Sequence, residues 1–347
     1  MRLLLVANGA SIHTERWVLG LKGRGHEVAL ATDVSSTLPV RQFPLDPLKR
    51  GRVNFLALAA QVRAAAREFR PQIVHAHYVS HYGLLAAAAR VGPLVASVWG
   101  ADVEVFPRRH AANRRLLTYA LARAAAVTAT SRHLAGAAAP YLPPGRRAVV
   151  VPFGVDAGRF RPSGAPPADP PLIVCNKHLE PDYGPDVLVD ALACLAERPW
   201  QAELLGDGSA RPALAVQIAR KGLGGRVRLV GRVAPDVVLE RLQAAAVAVY
   251  PSRRESFGVA TLEAEAVGVP VIASRVGGLP EVLDDGATGW LVDPDDPAGL
   301  AAAIHRVLDD PAGAEAMGRR GRQLVEQRFS WEAALAAMEG VYAGVAP

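Results

Sequence analysis

The chain is poor in the residues and segments that define several classes of protein. It has two cysteines among 347 residues, Cys175 and Cys194, and their spacing matches neither a zinc site nor a disulfide framework. It has no uncharged apolar run of about eighteen residues, so no membrane-spanning helix is expected. The apolar run at the start is too short for a signal-peptide core, and no A-x-A cleavage site follows it. We therefore expect a cytoplasmic protein, and a peripheral position at the inner face of the membrane stays open.

Two nucleotide-binding signatures are also missing. The first apolar run is followed only by "NGAS", with the single glycine Gly9, and not by G-x-G-x-x-G. No G-x-x-x-x-G-K-[ST] occurs, so both a dinucleotide dehydrogenase and a P-loop enzyme are disfavoured. His75, His77 and His81 lie close together in the sequence, but no acidic or cysteine ligand completes a metal pattern. We expect no bound metal.

Charge is divided unevenly along the chain. The net charge of +6 is the sum of +13 for residues 1–155 and −7 for residues 156–347. A basic surface attracts phosphates, anionic lipid or nucleic acid, although an arginine-rich composition with no such partner explains the imbalance equally well. Because no aromatic-interleaved basic patch or known nucleic-acid module is found, nucleic acid is not an expected partner.

The spacing of apolar residues predicts the fold class. The chain is longer than one hydrophobic core usually serves. Apolar runs alternate with amphipathic stretches, which is typical of parallel sheets covered by helices on both faces. The predicted strands are 2–8, 26–33, 72–77, 93–99, 126–131, 148–153, 172–177, 202–208, 226–232, 247–252 and 289–294. The predicted helices are 14–25, 55–69, 81–91, 110–125, 184–198, 211–222, 235–245, 258–268, 297–309, 311–328 and 330–344.

This pattern occurs twice and predicts two doubly wound α/β domains of the Rossmann kind in tandem. The first covers residues 1–160. A linker over 161–171 contains "PSGAPPADPP", which has five prolines and no apolar periodicity. The second domain covers 172–328, and a last helix lies within 329–347.

The segment "RRESFGVATLEAEAVGVPVIASRVGGLPEV" (253–282) contains the clearest site pattern. In doubly wound sheets, ligands bind beyond the carboxyl ends of the strands, where the strand over 247–252 ends. A helix that begins at Gly258 presents free N–H groups and the positive end of its dipole to a phosphate. Glu263 lies roughly 7.5 Å further along that helix, and Glu255 precedes it, so both carboxylates can accept hydrogen bonds from sugar hydroxyls. Solvated acids at a helix start are the simpler alternative.

This segment resembles the signature of the retaining glycosyltransferases of family 4. The matching pieces are "ESFGVATLE", "AVGVPVIAS", "GGLPE" and "DGATGWLVDP", and upstream "VVPFGVDAGRFRP", "PQIVHAHY" and "SVWGADV" are also similar to the family. The resemblance covers nearly the whole chain. It implies the GT-B fold, with two Rossmann-like domains that face each other across a cleft. The C-terminal domain is then expected to bind the nucleotide-sugar donor and the N-terminal domain the acceptor. The last helix, within 329–347, is expected to cross back onto the N-terminal domain.

The resemblance also implies roles for individual residues. Glu263 would hold the ribose hydroxyls, and Glu255 would face the transferred sugar. The backbone of three consecutive residues would bind the sugar and diphosphate: Phe257, Gly258 and Val259. The glycine pair of the first turn is reduced here to Gly9, which stays a candidate for the donor site.

One part of the family pattern is altered in this chain. The usual "G-R-L-x-x-x-K-G" is replaced by "NKHLEPDYG". Lys177 stands close to the usual arginine, and Tyr183 stands where the lysine usually is. Either Lys177 alone binds the diphosphate, or His178 or Arg232 replaces the missing cation.

Residues at the strand ends of the first domain are candidates for the acceptor side. They are His13, His77 and Asp102, with loop polarity as the alternative for His13 and turn capping for Asp102. The basic stretch 107–125 either packs on the sheet or lies on an anionic membrane. The acceptor is unknown, and a phosphorylated or lipid-linked hydroxyl compound fits the basic first half.

The predicted activity is transfer of a hexose from a nucleotide-diphosphate sugar to an acceptor hydroxyl with retained configuration. A UDP-sugar is preferred over a GDP-sugar, and cell-envelope glycan, glycolipid or polysaccharide synthesis is the expected context. Glu255 and Lys177 are the predicted catalytic residues, and no bound cofactor is expected. The alternatives are a nucleotide-sugar epimerase of the same fold, or a non-catalytic protein that binds nucleotide sugars or nucleic acid. Monomer and homodimer both stay open.

Overall fold

The computed structural model describes residues 1–46, 52–195 and 197–346. The chain forms two compact units, one of Met1–Pro152 with Ala334–Pro347 and the other of Phe153–Ala333. Each unit has its own buried hydrophobic core. The two are called unit 1 and unit 2 below.

The contacts place the end of the first stretch of unit 1 at residue 152, whereas the sequence pattern predicts a boundary at 160. The reason is that the chain after Pro152 bonds to residues of unit 2. The amide of Val155 donates to the carbonyl of Phe329 (2.9 Å), and the amide of Trp331 donates to the carbonyl of Val155 (2.9 Å). Residues 161–169, in the predicted linker, are exposed and contain no helix or strand.

Unit 1 contains a seven-stranded sheet in the order β3-β2-β1-β4-β5-β6-β7. Its strands are β1 (Arg2–Val6), β2 (Glu27–Thr32), β3 (Arg41–Pro44), β4 (Ile73–His77), β5 (Leu94–Val98), β6 (Ala126–Ala129) and β7 (Val149–Val150). All neighbouring strands pair in parallel. The central strands are continuous apolar runs because helices bury both of their faces. The edge strand β3, with the sequence "RQFP", is a short polar segment that apolar patterning does not detect.

The helices of unit 1 agree with the prediction where they are long. They are α1 (Ile12–Gly23), α2 (Arg52–Phe69), α3 (Leu84–Ala89), α4 (Ala101–Glu104), α5 (Phe106–Arg109), α6 (Ala111–Arg123) and α7 (Arg132–Ala138). The helix predicted over 81–91 is divided, because one turn of π-helix at Val79–Gly83 precedes α3. Helices α4, α5 and α7 were not predicted, since four to seven residues are too few to show a helical period.

Unit 2 contains a six-stranded sheet in the order β10-β9-β8-β11-β12-β13. Its strands are β8 (Leu172–Cys175), β9 (Gln201–Leu205), β10 (Val227–Gly231), β11 (Val247–Tyr250), β12 (Val271–Ser274) and β13 (Gly289–Val292). Again every pairing is parallel. The predicted class, two tandem doubly wound α/β domains, is therefore confirmed.

The helices of unit 2 cover both faces of this sheet. They are α8 (Pro185–Ala193), α9 (Arg211–Arg220), α10 (Pro235–Ala244), α11 (Val259–Ala266), α12 (Leu279–Val282), α13 (Pro297–Asp309) and α14 (Pro311–Arg328). The side chains of Asp296 and Asp310 cap α13 and α14 by accepting amide hydrogen bonds, as expected for acids before a helix. The predicted helix 184–198 ends earlier, at Ala193, and its residue 196 lies outside the described residues.

The last helix is α15 (Trp331–Val345), and its residues from Ala334 onward group with unit 1. The carboxylate of Glu339 accepts hydrogen bonds from Arg24 (2.7 Å) and lies 2.9 Å from Nε2 of His26. The hydroxyl of Tyr342 lies 2.7 Å from Nδ1 of His75, on β4. One fully buried contact, between Tyr342 and His75, and the partly exposed contacts of Glu339 therefore join α15 to β4 and to the segment before β2. None of the helices in the described ranges is long and apolar enough to cross a membrane.

Candidate active site

The strand order of unit 2 reverses direction beside β8, with β9 on one side and β11 on the other. Such a reversal leaves a crevice at the carboxyl ends of the two strands, where ligands of doubly wound sheets bind. The register pairs Val247 with Ile173 and Ala248 with Val174. Continued by two residues, the same register places Tyr250 beside Asn176 at this crevice.

Glu263 is held at the crevice by a residue of β8's carboxyl end. Nδ2 of Asn176 donates to Oε2 of Glu263 (3.2 Å), and the hydroxyl of Tyr250 donates to Oδ1 of Asn176 (2.6 Å). Helix α11 runs from the rim of the sheet, so Glu263 can reach back to the strand ends. Asn176 and Tyr250 were not predicted as site residues. The only signal in the sequence was that each directly follows or ends a buried strand.

Glu255 and Lys177 form an ion pair at the same edge of the sheet. Their side chains are only 11% and 13% exposed, and the lysine amine lies 4.7 Å from the centre of the Tyr183 ring. Burial acts to lower the pKa of Lys177, but the charge and hydrogen bond of Glu255 outweigh it and raise this pKa above its usual 10.5. Lys177 is therefore a cation. Tyr183, which stands at the position of the lysine in the family pattern, supplies a cation–π contact to it.

The turn before α11 owes its shape to glycines. Gly258 has a φ of +108°, and a Cβ there would lie 2.9 Å from Cδ2 of Leu279. A Cβ on Gly277 would lie 1.7 Å from the carbonyl oxygen of Glu255, and the amide of Gly278 donates to that oxygen (3.0 Å). The Gly-Gly pair therefore lets a second loop lie directly against the backbone of Glu255.

The backbone, and not the side chain, of Phe257 is available for a ligand. Its ring is buried and packs edge-on against Phe153 and Phe329, each with 6.1 Å between ring centres. This packing fixes the start of α11 at Val259. The first N–H groups of the helix point outward at its amino end, where they can stabilise an anion.

Three arginines of unit 2 are either paired with acids or distant from this site. Arg253 donates to Asp186 (2.7 Å) and Asp295 (2.6 Å), and Arg254 pairs with Asp182. Arg232 follows β10, two strands from β8 and therefore about 10 Å away along the sheet edge. The structure thus brings together Lys177, Glu255 and Glu263 but leaves Arg232 at the edge of the sheet.

Unit 1 carries a second cluster at the carboxyl ends of β1, β4 and β5. The ring of Trp99 lies 5.9 Å from that of His13 and 4.5 Å from that of His77. Burial, together with the neighbouring His75 and His13, lowers the pKa of His77 well below 6.5, so this ring is neutral. The structure therefore groups two predicted acceptor residues around Trp99, which the sequence did not single out.

Asp102 and Gly9 have structural contacts in unit 1. The buried carboxylate of Asp102 accepts the amides of Val79 (2.9 Å), Trp99 (3.1 Å) and Gly100 (2.8 Å). Burial raises the pKa of Asp102 to about 6, and these hydrogen bonds oppose the shift. The amide of Gly9 donates to Oγ1 of Thr32 (2.9 Å). Asp102 therefore joins the loops after β4 and β5, and Gly9 joins the loops after β1 and β2.

No group of three or more potential metal ligands of the His, Cys, Asp and Glu types is found in the described part of the chain. The charged groups of the unit 2 site are one cation and two carboxylates, with one carboxylate bound to the cation and the other to an amide. Such a set can bind hydroxyls and a phosphate without requiring a metal ligand set.

Two families match the chain over most of its length. The family described as Glycosyl transferases group 1 matches residues 156–324, and the one described as Glycosyl transferase 4-like matches residues 2–131. A D-inositol 3-phosphate glycosyltransferase from Streptomyces scabiei is 33% identical over 313 residues, which are 81% of this chain and 70% of that protein. The chain spans about half the length of other curated relatives that it matches, which carry the same name.

Solved structures agree over the whole chain. The sucrose-phosphate synthase from Thermosynechococcus elongatus has a TM-score of 0.85 and 25% identity, with 99% of this chain and 98% of that chain covered. Anabaena HepE, solved in complex with UDP-glucose, has a TM-score of 0.84 and 22% identity, with 99% and 100% covered. The likeness to HepE concerns the fold alone. The chain belongs to the group 1 glycosyl transferases of family 4, and its fold is GT-B.

Proposed function

We propose that this chain is a retaining hexosyltransferase that moves a sugar from a nucleotide diphosphate to an acceptor hydroxyl. The observation that carries the proposal is the meeting of Lys177, Glu255 and Glu263 at the strand-order reversal of unit 2. These residues lie within the range matched by the group 1 family. A UDP-sugar is the first donor to test and a GDP-sugar the second.

Glu263 binds the ribose of the donor. Its carboxylate accepts hydrogen bonds from the two adjacent ribose hydroxyls, which a carboxylate does in a bidentate manner. The diphosphate then lies toward the start of α11, where the N–H groups around Gly258 and Val259 receive it. The rise of roughly 7.5 Å along the helix axis from Gly258, the residue before α11, to Glu263 leaves room for a phosphate at the helix start and a ribose further along.

Lys177 and Glu255 act on the reacting end of the donor. When the bond between the anomeric carbon and the phosphate oxygen breaks, the phosphate gains negative charge, which Lys177 and the helix start stabilise. The acceptor oxygen forms the new bond on the same face, and its proton passes to the departing phosphate. Glu255 holds the hydroxyls of the sugar and orients Lys177. Trapping of a covalent sugar adduct on Glu255 would contradict this route.

The acceptor binds to unit 1, at the cluster formed by His13, His77 and Trp99. Aromatic rings favour the apolar face of a cyclic polyol, and histidine edges supply hydrogen bonds. The net charge of +13 over residues 1–155 favours an acceptor that carries a phosphate. D-inositol 3-phosphate, named in the curated relatives, is therefore the first acceptor to test.

The proposal is tested by thermal unfolding with UDP, GDP, ADP and their hexose conjugates, on the wild type beside Glu263→Ala. A ligand at a hundred times its dissociation constant adds about 2.7 kcal/mol to the folded state, which raises Tm by a few degrees. We expect one nucleotide to shift the wild type and to shift Glu263→Ala much less.

Glu315→Ala is the matched control, because Glu315 is an exposed glutamate of unit 2 that pairs with Arg319 on its own helix. Glu315→Ala should show the same rise in Tm with the nucleotide as the wild type. Absence of a shift with every nucleotide in the wild type contradicts the proposal. A full shift in Glu263→Ala contradicts the ribose role of Glu263 alone.

We also propose that α5 and α6 contact an anionic membrane surface. Residues 107–123 hold five arginines and no acid. Between the exposed arginines Arg114 and Arg115 and the end of α6 lie two outward-facing apolar side chains, Leu116 (45% exposed) and Tyr119 (41% exposed). Basic side chains next to apolar ones bind the headgroup region of anionic bilayers.

Liposome flotation tests this contact. Vesicles with anionic lipid should retain the wild type more than neutral vesicles do, and Arg114→Glu with Arg115→Glu should abolish the difference. The double variant Arg319→Glu with Arg320→Glu on α14 makes the same charge change in unit 2. This variant should keep the difference in retention between anionic and neutral vesicles. Equal retention by anionic and neutral vesicles contradicts the contact.

A further inference from the structure

A buried polar chain leads from β11 through β8 to the predicted ribose-binding carboxylate. Tyr250 is fully buried, and its hydroxyl lies 2.6 Å from Oδ1 of Asn176. Nδ2 of the same amide lies 3.2 Å from Oε2 of Glu263. Three residues distant in sequence are thus joined in one line across the strand-order reversal.

The protons of this chain can be assigned from its chemistry. A carboxylate only accepts hydrogen bonds, so Glu263 requires the NH₂ side of the Asn176 amide. The carbonyl side then faces the Tyr250 hydroxyl, whose single proton is shared between this amide oxygen (2.6 Å) and the carbonyl oxygen of Ala260 (2.9 Å). Burial, followed by the nearby Cys175 thiol and glutamates, raises the pKa of Tyr250 well above 10, so the phenol keeps this proton. The tyrosine hydroxyl therefore holds the amide in the orientation that serves Glu263.

We propose that Tyr250 and Asn176 are positioning residues that aim the carboxylate of Glu263 at the ribose diol. This inference rests on the proposed function and deepens it. With Oε2 held by Asn176, the carboxylate is oriented before the nucleotide binds, and less rotamer freedom is lost on binding. The pair should therefore determine the preference for ribose over a sugar that lacks both hydroxyls.

A purely structural role is the competing explanation. The hydroxyl of Tyr250 also lies 2.9 Å from the carbonyl oxygen of Ala260, in the first turn of α11. Through that contact Tyr250 joins β11 to α11 irrespective of any ligand. Its loss would then weaken the binding of every nucleotide equally, because the whole helix start would shift.

The experiment compares dissociation constants by calorimetry for UDP, GDP and ADP and for their 2′,3′-dideoxy forms. The proteins are the wild type, Tyr250→Phe and Tyr342→Phe. Tyr250→Phe keeps the buried ring and removes only the hydroxyl. Loss of the hydrogen bond from Tyr250 to Asn176 should lower the affinity for the preferred ribonucleotide by about tenfold. The affinity for the dideoxy form of the same nucleotide should change by less than about twofold.

Tyr342→Phe is the matched control, since it removes a buried tyrosine hydroxyl of unit 1 that contacts His75. It should leave both nucleotide affinities unchanged. Asn176→Asp is the second variant, because it removes the donor and places a like charge beside Glu263. We expect it to lower the affinity for the ribonucleotide more than Tyr250→Phe does, again with little effect on the dideoxy form.

The possible failures are distinct. If the wild type binds no nucleotide, the proposed function fails, and this inference fails with it. If the wild type binds and prefers ribose, but Tyr250→Phe keeps that preference, only the positioning role is overturned. Equal weakening of the ribose and dideoxy forms in Tyr250→Phe also overturns it, in favour of the structural role.

Discussion

Unit 1 and unit 2 have the same layered architecture, yet their strand ends carry different chemistry. In unit 1 the buried polar groups include neutral rings and hydroxyls, such as His75 between Tyr342 and Ser97. They also include the carboxylate of Asp102, which accepts hydrogen bonds from three backbone amides. In unit 2 the crevice holds an ion pair and a second carboxylate. The comparison shows that the topology of a parallel sheet determines where a site lies, at the carboxyl ends of the strands. The residues that follow each strand determine whether that site contains charged groups.

The same contrast applies to the loops. In unit 2 the loop at Gly277 lies directly on the backbone of Glu255, so the acids are fixed by close main-chain packing. In unit 1 the loops after β4 and β5 are joined by the side chain of Asp102. Four predictions test this comparison, from the largest effect to the smallest.

Lys177→Ala removes the cation from the candidate active site of unit 2. Because the departing phosphate then loses its cation, transfer or donor hydrolysis should slow by roughly two to three orders of magnitude. Steady-state kinetics with the nucleotide sugar identified by thermal unfolding measure the effect. Lys221→Ala, a lysine of the same unit that pairs with Asp190, should retain wild-type rates. A rate for Lys177→Ala within about threefold of wild type would remove Lys177 from the mechanism.

Close loop packing in unit 2 is tested by Gly277→Ala. The new Cβ meets the carbonyl oxygen of Glu255 at a φ of +56°, so the backbone must move. We expect a loss of about 3 kcal/mol or more in unfolding free energy, together with loss of nucleotide binding. Gly222→Ala also has a positive φ, +69°, but has no atom within 4 Å of the new Cβ. It should cost only about 1 kcal/mol and keep binding, and equal losses in the two variants would refute the packing argument.

The neutral histidine of unit 1 predicts a pH dependence. Burial lowers the pKa of His75 to about 3 from 6.5, so the unfolded chain binds a proton that the folded chain excludes. The stability that results from keeping His75 neutral is therefore complete above pH 6.5 and is lost as the pH falls toward 3. Between pH 6.5 and 5 the free energy of unfolding should fall by about 2 kcal/mol from this residue. Tm measured from pH 7.5 to 5 should fall less steeply in His75→Gln than in wild type.

Unit 2 should show the opposite response through Glu265. This carboxylate is fully buried on α11, and burial raises its pKa well above 4.5 despite the opposing effect of Thr288. A raised carboxylate pKa favours the folded state at low pH, and that contribution is lost as the pH rises above 4.5 through the folded pKa. Glu265→Leu should therefore stabilise the protein at pH 7.5 by about 1–2 kcal/mol.

Chemical denaturation measures the stability of Glu265→Leu. Glu240→Leu, at an exposed position on α10, should change stability by less than about 0.5 kcal/mol. A destabilised Glu265→Leu would mean that the carboxylate makes a necessary buried contact. The contrast between the pH responses of the two units would then be lost.

Much of the site was predictable because it lies in one continuous segment. The spacing of Glu255, Gly258 and Glu263 follows from a strand end, a turn and a helix start, which are local features. Asn176 and Tyr250 were not predicted as site residues because neither has a local signal. Their contact depends on the register of two strands separated by more than seventy residues. Trp99 was missed for the same reason, since its neighbours His13 and His77 come from other strand ends.

The sequence by itself determined the two doubly wound units, the long helices and the segment that carries the acids. Apolar periodicity and glycine positions act over a few residues and are written directly in the chain. Only the tertiary structure decided that Lys177 is paired with Glu255 over the ring of Tyr183. It also decided that Glu263 accepts a hydrogen bond from Asn176, and that Asp102 joins two loops. These choices depend on which strands become neighbours, because burial and pairing of polar groups are fixed only when distant segments pack together.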